Sequence, residues 1–285
     1  TLLKEKALDL VKRRYDLSRQ ANNLDFERFA RYYRLFRNKQ TKKNYRGLAD
    51  LFVPEPYRIV RRKTAKLAGS IRNIEGRADN PEHIESARVS SHLLNHIRRK
   101  LNWSIQERTA IQESRITGIS WLKLVWDLSK EEQDKPYRGL DLTFHSADEI
   151  LLSPECTGPD IFNNRVRWAI HEYEDTIEGI KANTNYDPEA VKRLESSGGS
   201  TSKTNRSPLE QSRFNWVHHN KLKDTRTRRL KITEYWGKFN PSNPDEDNKP
   251  SGLEEDYLIV IADGMEVLRF GPNPYKQILD IDLPF

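Results

Sequence analysis

Glu113-Ser114-Arg115-Ile116-Thr117-Gly118-Ile119-Ser120-Trp121-Leu122-Lys123-Leu124-Val125-Trp126-Asp127 passes from helical to strand periodicity across a single glycine. Gly118 stops a helix, because glycine alone enters the left-handed region without steric cost. The stretch from Ile119 to Trp126 then alternates imperfectly, as a strand does. Leu140-Asp141-Leu142-Thr143-Phe144 follows after a charged turn containing Lys135-Pro136 and is expected to pair with it as a hairpin.

Upstream, the segment from Tyr57 to Ala68 is basic and helical in pattern, with Gly69 at its stop. Asn80-Pro81-Glu82 opens a further helix: Asn caps, Pro occupies the first turn and Glu favours the positive end. Ile84, Ala87, Leu94, Ile97 and Leu101 are its expected buried face. Ser104 is the expected cap of the next helix, with Ile105, Ala110 and Ile116 on its apolar side.

Residues 2–19 read as a helix with Leu3, Ala7, Leu10 and Leu17 inward. Asn22, Asn23 and Asp25 interrupt the pattern, so a second helix is expected from Phe26 to Arg37. There Phe26, Phe29, Ala30, Tyr33 and Phe36 form one stripe and Arg28, Arg31, Arg34 and Arg37 another. An aromatic core face with a solvated arginine face explains this better than base stacking.

Beyond the hairpin, Ile150-Leu151-Leu152 is a strand ending at Pro154. Residues 165–171 suit a strand or a short helix. Thr176 caps a short helix to Ala182, and Asp187-Pro188-Glu189 starts another to Leu194. Residues 196–208 are Ser/Gly/Thr-rich and read as a mobile loop. Leu230–Trp236 and Tyr257–Ala262 are strands, and the Asp263-Gly264 turn returns the chain through Glu266–Phe270. The fold class is α+β, with a helical N-terminal half and a β-rich remainder of hairpins and short helices.

The 285 residues are 35% hydrophobic and 32% charged, which suits a high surface-to-core ratio or an elongated subunit, and equally one that completes its burial against copies of itself. Net charge is +7 and uneven. Between Arg28 and Arg72 there are 14 Lys or Arg against Asp50 and Glu55. Between Lys221 and Lys231 six bases face Asp224 alone, and between Asp245 and Asp256 six acids face Lys249 alone. Such runs permit a polyanion partner. Cys156 is the single cysteine, so no intrachain disulfide forms. No apolar run approaches the about 20 residues of a membrane span, and no signal-peptide pattern is present.

No phosphate-loop motif and no zinc-spaced His/Cys group occurs. His92 and His96 stand four apart with no catalytic acid between them, and His218-His219 would point to opposite faces of a strand. No activating residue type stands out in the sequence around Cys156, which is expected to be inert. The cluster Asp245-Glu246-Asp247 lies among Pro and Asn in a run, which suits a solvated loop rather than a nuclease metal site. The expectation is no catalytic residue, no metal and no cofactor.

Gly69-Ser70-Ile71-Arg72-Asn73-Ile74-Glu75, the Pro81-initiated helix and Gly118–Lys123 follow one another in a characteristic order. Ser146–Pro154, Ile232–Lys238, Gly271-Pro272-Asn273-Pro274-Tyr275 and Leu283-Pro284-Phe285 continue it. In this order the chain resembles a tailed-bacteriophage portal protein of the podovirus-like kind. The resemblance implies a homo-oligomeric ring, usually of twelve subunits, at one capsid vertex, through which double-stranded DNA is packaged and ejected. It implies terminase, capsid and head-completion or adaptor proteins as partners, no membrane, assembly in the host bacterial cytoplasm and a place in the virion. Residues 1–139 would be a mostly helical wing-like region. Residues 140–285 would be a β-rich stem/clip-like region with a mobile loop at 196–216, and further stem, wing and crown would follow Phe285.

Lys221, Lys223, Arg226, Arg228 and Arg229, beside a strand, are the residues expected near DNA; an acidic face of a neighbouring subunit is the equal alternative. The competing functions are a metal-dependent DNA-processing enzyme using the acids around 245–256, and a monomeric nucleic-acid-binding module.

Overall fold

The computed structural model describes residues 2–37, 55–69, 73–127, 139–156, 166–196, 229–240 and 255–279. The chain divides into two compact units: residues 1–30 with 148–284, and residues 31–147 with Phe285. The division falls inside the first helix.

The first unit is built on a five-stranded antiparallel sheet in chain order: β3 (Ile150–Leu152), β4 (Trp168–Thr176), β5 (Arg229–Phe239), β6 (Glu255–Ala262) and β7 (Glu266–Pro272). Strand β5 lies at its centre. Its two alternating sets, Tyr235 and Phe239 on one face and Leu230, Ile232 and Trp236 on the other, are all buried, so neither face is left to water. Helix α1 (Leu2–Phe36) covers the Tyr235 face: Ala7, Leu10, Val11 and Phe26 share one core with Leu151, Trp168, Ile170, Tyr235, Phe239, Ile259, Ile261 and Val267. Helices α5 (Ile177–Ala182) and α6 (Pro188–Ser196) pack on β4 and β7.

The β6–β7 turn has positive φ at both Asp263 (47°) and Gly264 (67°), with Met265 N–H donating to the Ala262 carbonyl. This is the primed geometry that matches strand twist. The Thr176 hydroxyl accepts the Gly179 N–H at 3.1 Å, as its capping role requires. Residues 165–171, open between helix and strand in the sequence, are strand from Trp168, and β4 continues to Thr176.

The second unit holds α2 (Glu55–Gly69), a 3-10 turn at Pro81–His83, α3 (Ile84–Lys100), α4 (Trp103–Thr117) and the hairpin β1 (Trp121–Asp127) with β2 (Gly139–His145). The hairpin pairs Leu122 with Phe144 and Leu124 with Leu142. Gly118 sits at φ 95° and donates to the Ser114 carbonyl, closing α4 before β1.

Several expectations are corrected. Residues 2–36 form one helix, not two. The Asn22 amide donates to the Ser18 carbonyl inside it at 2.7 Å, and burial of Phe26 alongside Leu10 outweighs the small propensity cost of Asn and Asp. Ala7 and Leu10 face inward as expected, joined by Val11, Arg14 and Ser18, while Leu17 is exposed. Its Phe26, Ala30, Tyr33 and Phe36 are buried and Arg28, Arg31 and Arg34 exposed, as expected.

Asn80 has extended, cap-like backbone but makes no side-chain cap, and a 3-10 turn precedes α3. Of the face expected on α3 only Ile97 is buried, and Ile84 is exposed. Helix α4 starts from Asn102, not Ser104, and exposes Ile105. The Ser/Gly/Thr-rich stretch lies outside the described residues from 197 onward, as do Ser70–Arg72 and Leu283-Pro284-Phe285. Among the described residues, no helix is long and apolar enough to cross a membrane.

Candidate nucleic-acid interface

Of the five cations expected near DNA, Lys221, Lys223, Arg226 and Arg228 lie outside the described residues, as do His218-His219 and the cluster Asp245-Glu246-Asp247. Arg229 is the first residue of β5 and is exposed, with its Nη1 4.0 Å from Glu174 Oε2 on β4. This is a loose pair in water, worth little to stability, so Arg229 keeps its charge available to solvent.

Two residues on, Lys231 behaves differently. Its Nζ lies 2.6 Å from Glu172 Oε1 and donates to the Tyr15 hydroxyl at 2.9 Å. Tyr15 in turn donates to Glu172 Oε2 at 2.6 Å, and Arg19 bonds the same phenol. Burial acts against the Lys231 charge, but Glu172 and the phenol outweigh it and the ammonium pKa is raised. Burial, followed by the Glu172 charge, also raises the Tyr15 pKa. The basic run therefore changes character along β5: Arg229 faces out, whereas Lys231 ties the sheet to α1.

Arg14 is also consumed internally. Its guanidinium lies 4.7 Å from the Trp168 ring centroid, donates to the Lys238 carbonyl at 2.9 Å and bonds the Tyr235 hydroxyl. Trp168 Nε1 donates to Ser18 at 2.9 Å. The opposite face of β4 and β5 carries a second polar group. Glu234 accepts from Tyr173 at 3.0 Å and lies 3.3 Å from His171 Nδ1, while the Tyr173 and Tyr186 hydroxyls are 3.3 Å apart. Burial, with the Glu234 charge, raises both tyrosine pKa values. These groups are interior fastenings, not a surface for a ligand.

In the second unit the 28–72 excess is represented by α2, where Arg58, Arg61, Arg62, Lys63 and Lys66 are exposed against Glu55 alone. Glu55 bonds Arg58 at 3.0 Å. At the end of α3, Arg98 takes Glu107 of α4 through Nε at 3.1 Å and Nη2 at 2.5 Å, half buried. His92 and His96 are exposed on α3.

A family model described as Phage P22-like portal protein matches residues 13–258. That span takes in α1 from Arg13, residues 31–147 of the second unit and the sheet into the first half of β6. The chain belongs to the P22-like portal protein family. A search of curated proteins returned no match. As a portal protein it is a structural, non-enzymatic component of the virion, a subunit of the ring through which DNA is packaged and ejected. DNA and the terminase are its general partners. A mixed α+β chain, helical first and then antiparallel sheet, is the fold this membership entails.

Sequence reading missed Lys231 as an internal residue because it belongs to the same basic run as Arg229. The strand period puts both on one face. The position of Tyr15, more than 200 residues away in the chain, and the close Glu172 ion pair separate their roles.

Proposed function

We propose that the ring has twelve subunits, that the mostly helical residues 1–139 serve as a wing-like region, and that residues 140–285 serve as a stem/clip-like region. Capsid and head-completion or adaptor proteins bind the same ring. Lys221, Lys223, Arg226, Arg228 and Arg229 lie near the DNA and meet its phosphates weakly. The observation that carries this reading is the family match across residues 13–258. It is supported by a chain rich in charge, as large heterologous subunit faces require. A conduit must avoid tight base contacts, and sequence-independent phosphate contacts let DNA pass.

Light scattering and negative-stain microscopy of the purified full-length protein test the assembly. The expected result is a twelve-fold ring with a central hole of duplex width. A protein that stays monomeric at high concentration contradicts the reading. Replacing the five cations with Gln is expected to leave the ring intact and slow DNA packaging in a reconstituted motor assay. Unchanged packaging excludes them as DNA-proximal residues.

A further inference from the structure

Helices α2 and α4 pack beside one another within the second unit, and an open groove of about 520 Å³ runs between them. Arg61, Ala65, Ala68 and Gly69 line it from α2, and Ser104, Ile105, Arg108, Thr109 and Gln112 from α4. Each set recurs at helical spacing and so forms one stripe. Ala65, Ala68 and Gly69 offer no knob to fill the space opposite Arg108 and Gln112, so the groove remains open where larger residues would close it.

The chemistry of the lining is one-sided. Among the described residues it has two guanidinium groups, two hydroxyls and an amide, and no carboxylate. The acids carried by the two helices are engaged elsewhere: Glu55 bonds Arg58, Glu107 bonds Arg98 and Glu113 accepts from Ser146. Arg61 rests 5.7 Å from the Tyr57 ring centroid, which restrains its fork. Helix α4 begins at the groove with no acid in its first turn and no side-chain cap from Asn102, which is left-handed. Its positive end therefore adds to the same field. Arg62, Lys63 and Lys66 continue the charge along α2. A groove of this size admits phosphate groups but not a duplex.

We propose that the α2–α4 groove binds backbone phosphates of double-stranded DNA, with Arg61 and Arg108 as the paired donors. The arginine fork matches phosphate geometry, the contacts carry no sequence information, and the flanking cations suit an extended polyanion rather than a single ion. The choice of duplex DNA as that polyanion rests on the portal role. The site is separate in sequence from the Lys221–Arg229 run.

The test is fluorescence anisotropy of the assembled full-length protein with a 30-base-pair duplex of arbitrary sequence, from about 50 to 200 mM salt. R61A/R108A is expected to weaken binding about tenfold and to flatten the salt slope by about 2. A control pair on α1, R28A/R34A, is expected to change neither by as much. Unchanged binding overturns the proposal, and so does an equal loss in the control pair, which would indicate bulk charge alone. If R61A/R108A fails to assemble, R61K/R108K keeps the charge and removes the fork. Partial loss of affinity then supports the site, and full retention overturns it. Displacement by poly-glutamate at lower concentration than by competitor DNA also overturns it, in favour of an acidic protein partner. Negative-stain images of the unsubstituted protein judge the ring separately. Absence of a ring would count against the portal reading, while binding by the groove is read independently.

Discussion

Glu113 lies on α4 with 3% of its surface exposed, accepting from the Ser146 hydroxyl at 3.0 Å and bonded by the Tyr33 hydroxyl. One carboxyl thus joins α1, α4 and the end of β2 inside the second unit. Glu113→Ala removes the shared acceptor and is expected to destabilise the protein by about 2–3 kcal/mol, read as a lower urea midpoint, with Glu113→Gln losing less. Gly237 is a second such position. A Cβ there would lie 2.7 Å from Trp168 Cβ and 2.8 Å from the Arg167 carbonyl, whereas at Gly271 nothing lies within 4 Å. Gly237→Ala is expected to cost about 1–3 kcal/mol and Gly271→Ala nearly nothing, by thermal denaturation of each. Equal melting temperatures would refute the close approach of β4 to β5.

Continuity through Asn22 and Asn23 is the decisive property of α1. Asn23 is exposed in mid-helix, where alanine has the higher propensity. Asn23→Ala is therefore expected to stabilise by about 0.5 kcal/mol. Were Asn23 a cap between two helices, the same change would destabilise by about 1 kcal/mol, so the sign of the shift in urea midpoint distinguishes the two. At β4 the Thr176 cap behaves conventionally, and Thr176→Ala is expected to cost about 1 kcal/mol. The basic run entering β5 was legible as charge, and its strand was legible as alternation. Which cation remains at the surface was not, because Arg229 and Lys231 differ in what α1 and β4 place beside them.

For the molecule as a whole, the polar fastenings of the first unit predict an alkaline limit. The Lys231 ammonium and the phenols of Tyr15, Tyr173 and Tyr186 all have raised pKa values. Each holds its proton in the folded state after the unfolded chain has begun to lose it. The folded state then binds more protons, so stability falls as pH rises. The contribution is complete below about pH 10 and declines above it. Urea midpoints measured from pH 8 to 11 are expected to drop at the upper end. The drop should be smaller in Tyr15→Phe combined with Lys231→Met, and an identical decline in that variant would contradict the assignment.

The sequence by itself determined the α+β class, the α4–Gly118–β1 join, the hairpins, the cap at Thr176, and the order of motifs that relates the chain to portal proteins. These depend on local periodicity and on residues with few backbone choices, such as Gly118 at φ 95° and the Asp263-Gly264 turn. Tertiary structure decided the rest. It made α1 one helix, buried Arg14 and Ser18 in place of Leu17, exposed Ile84 and Ile105, and opened the groove between Arg61 and Arg108. Each of these depends on a partner distant in the chain, and a side chain's burial is set by what packs against it rather than by its place in a periodic pattern.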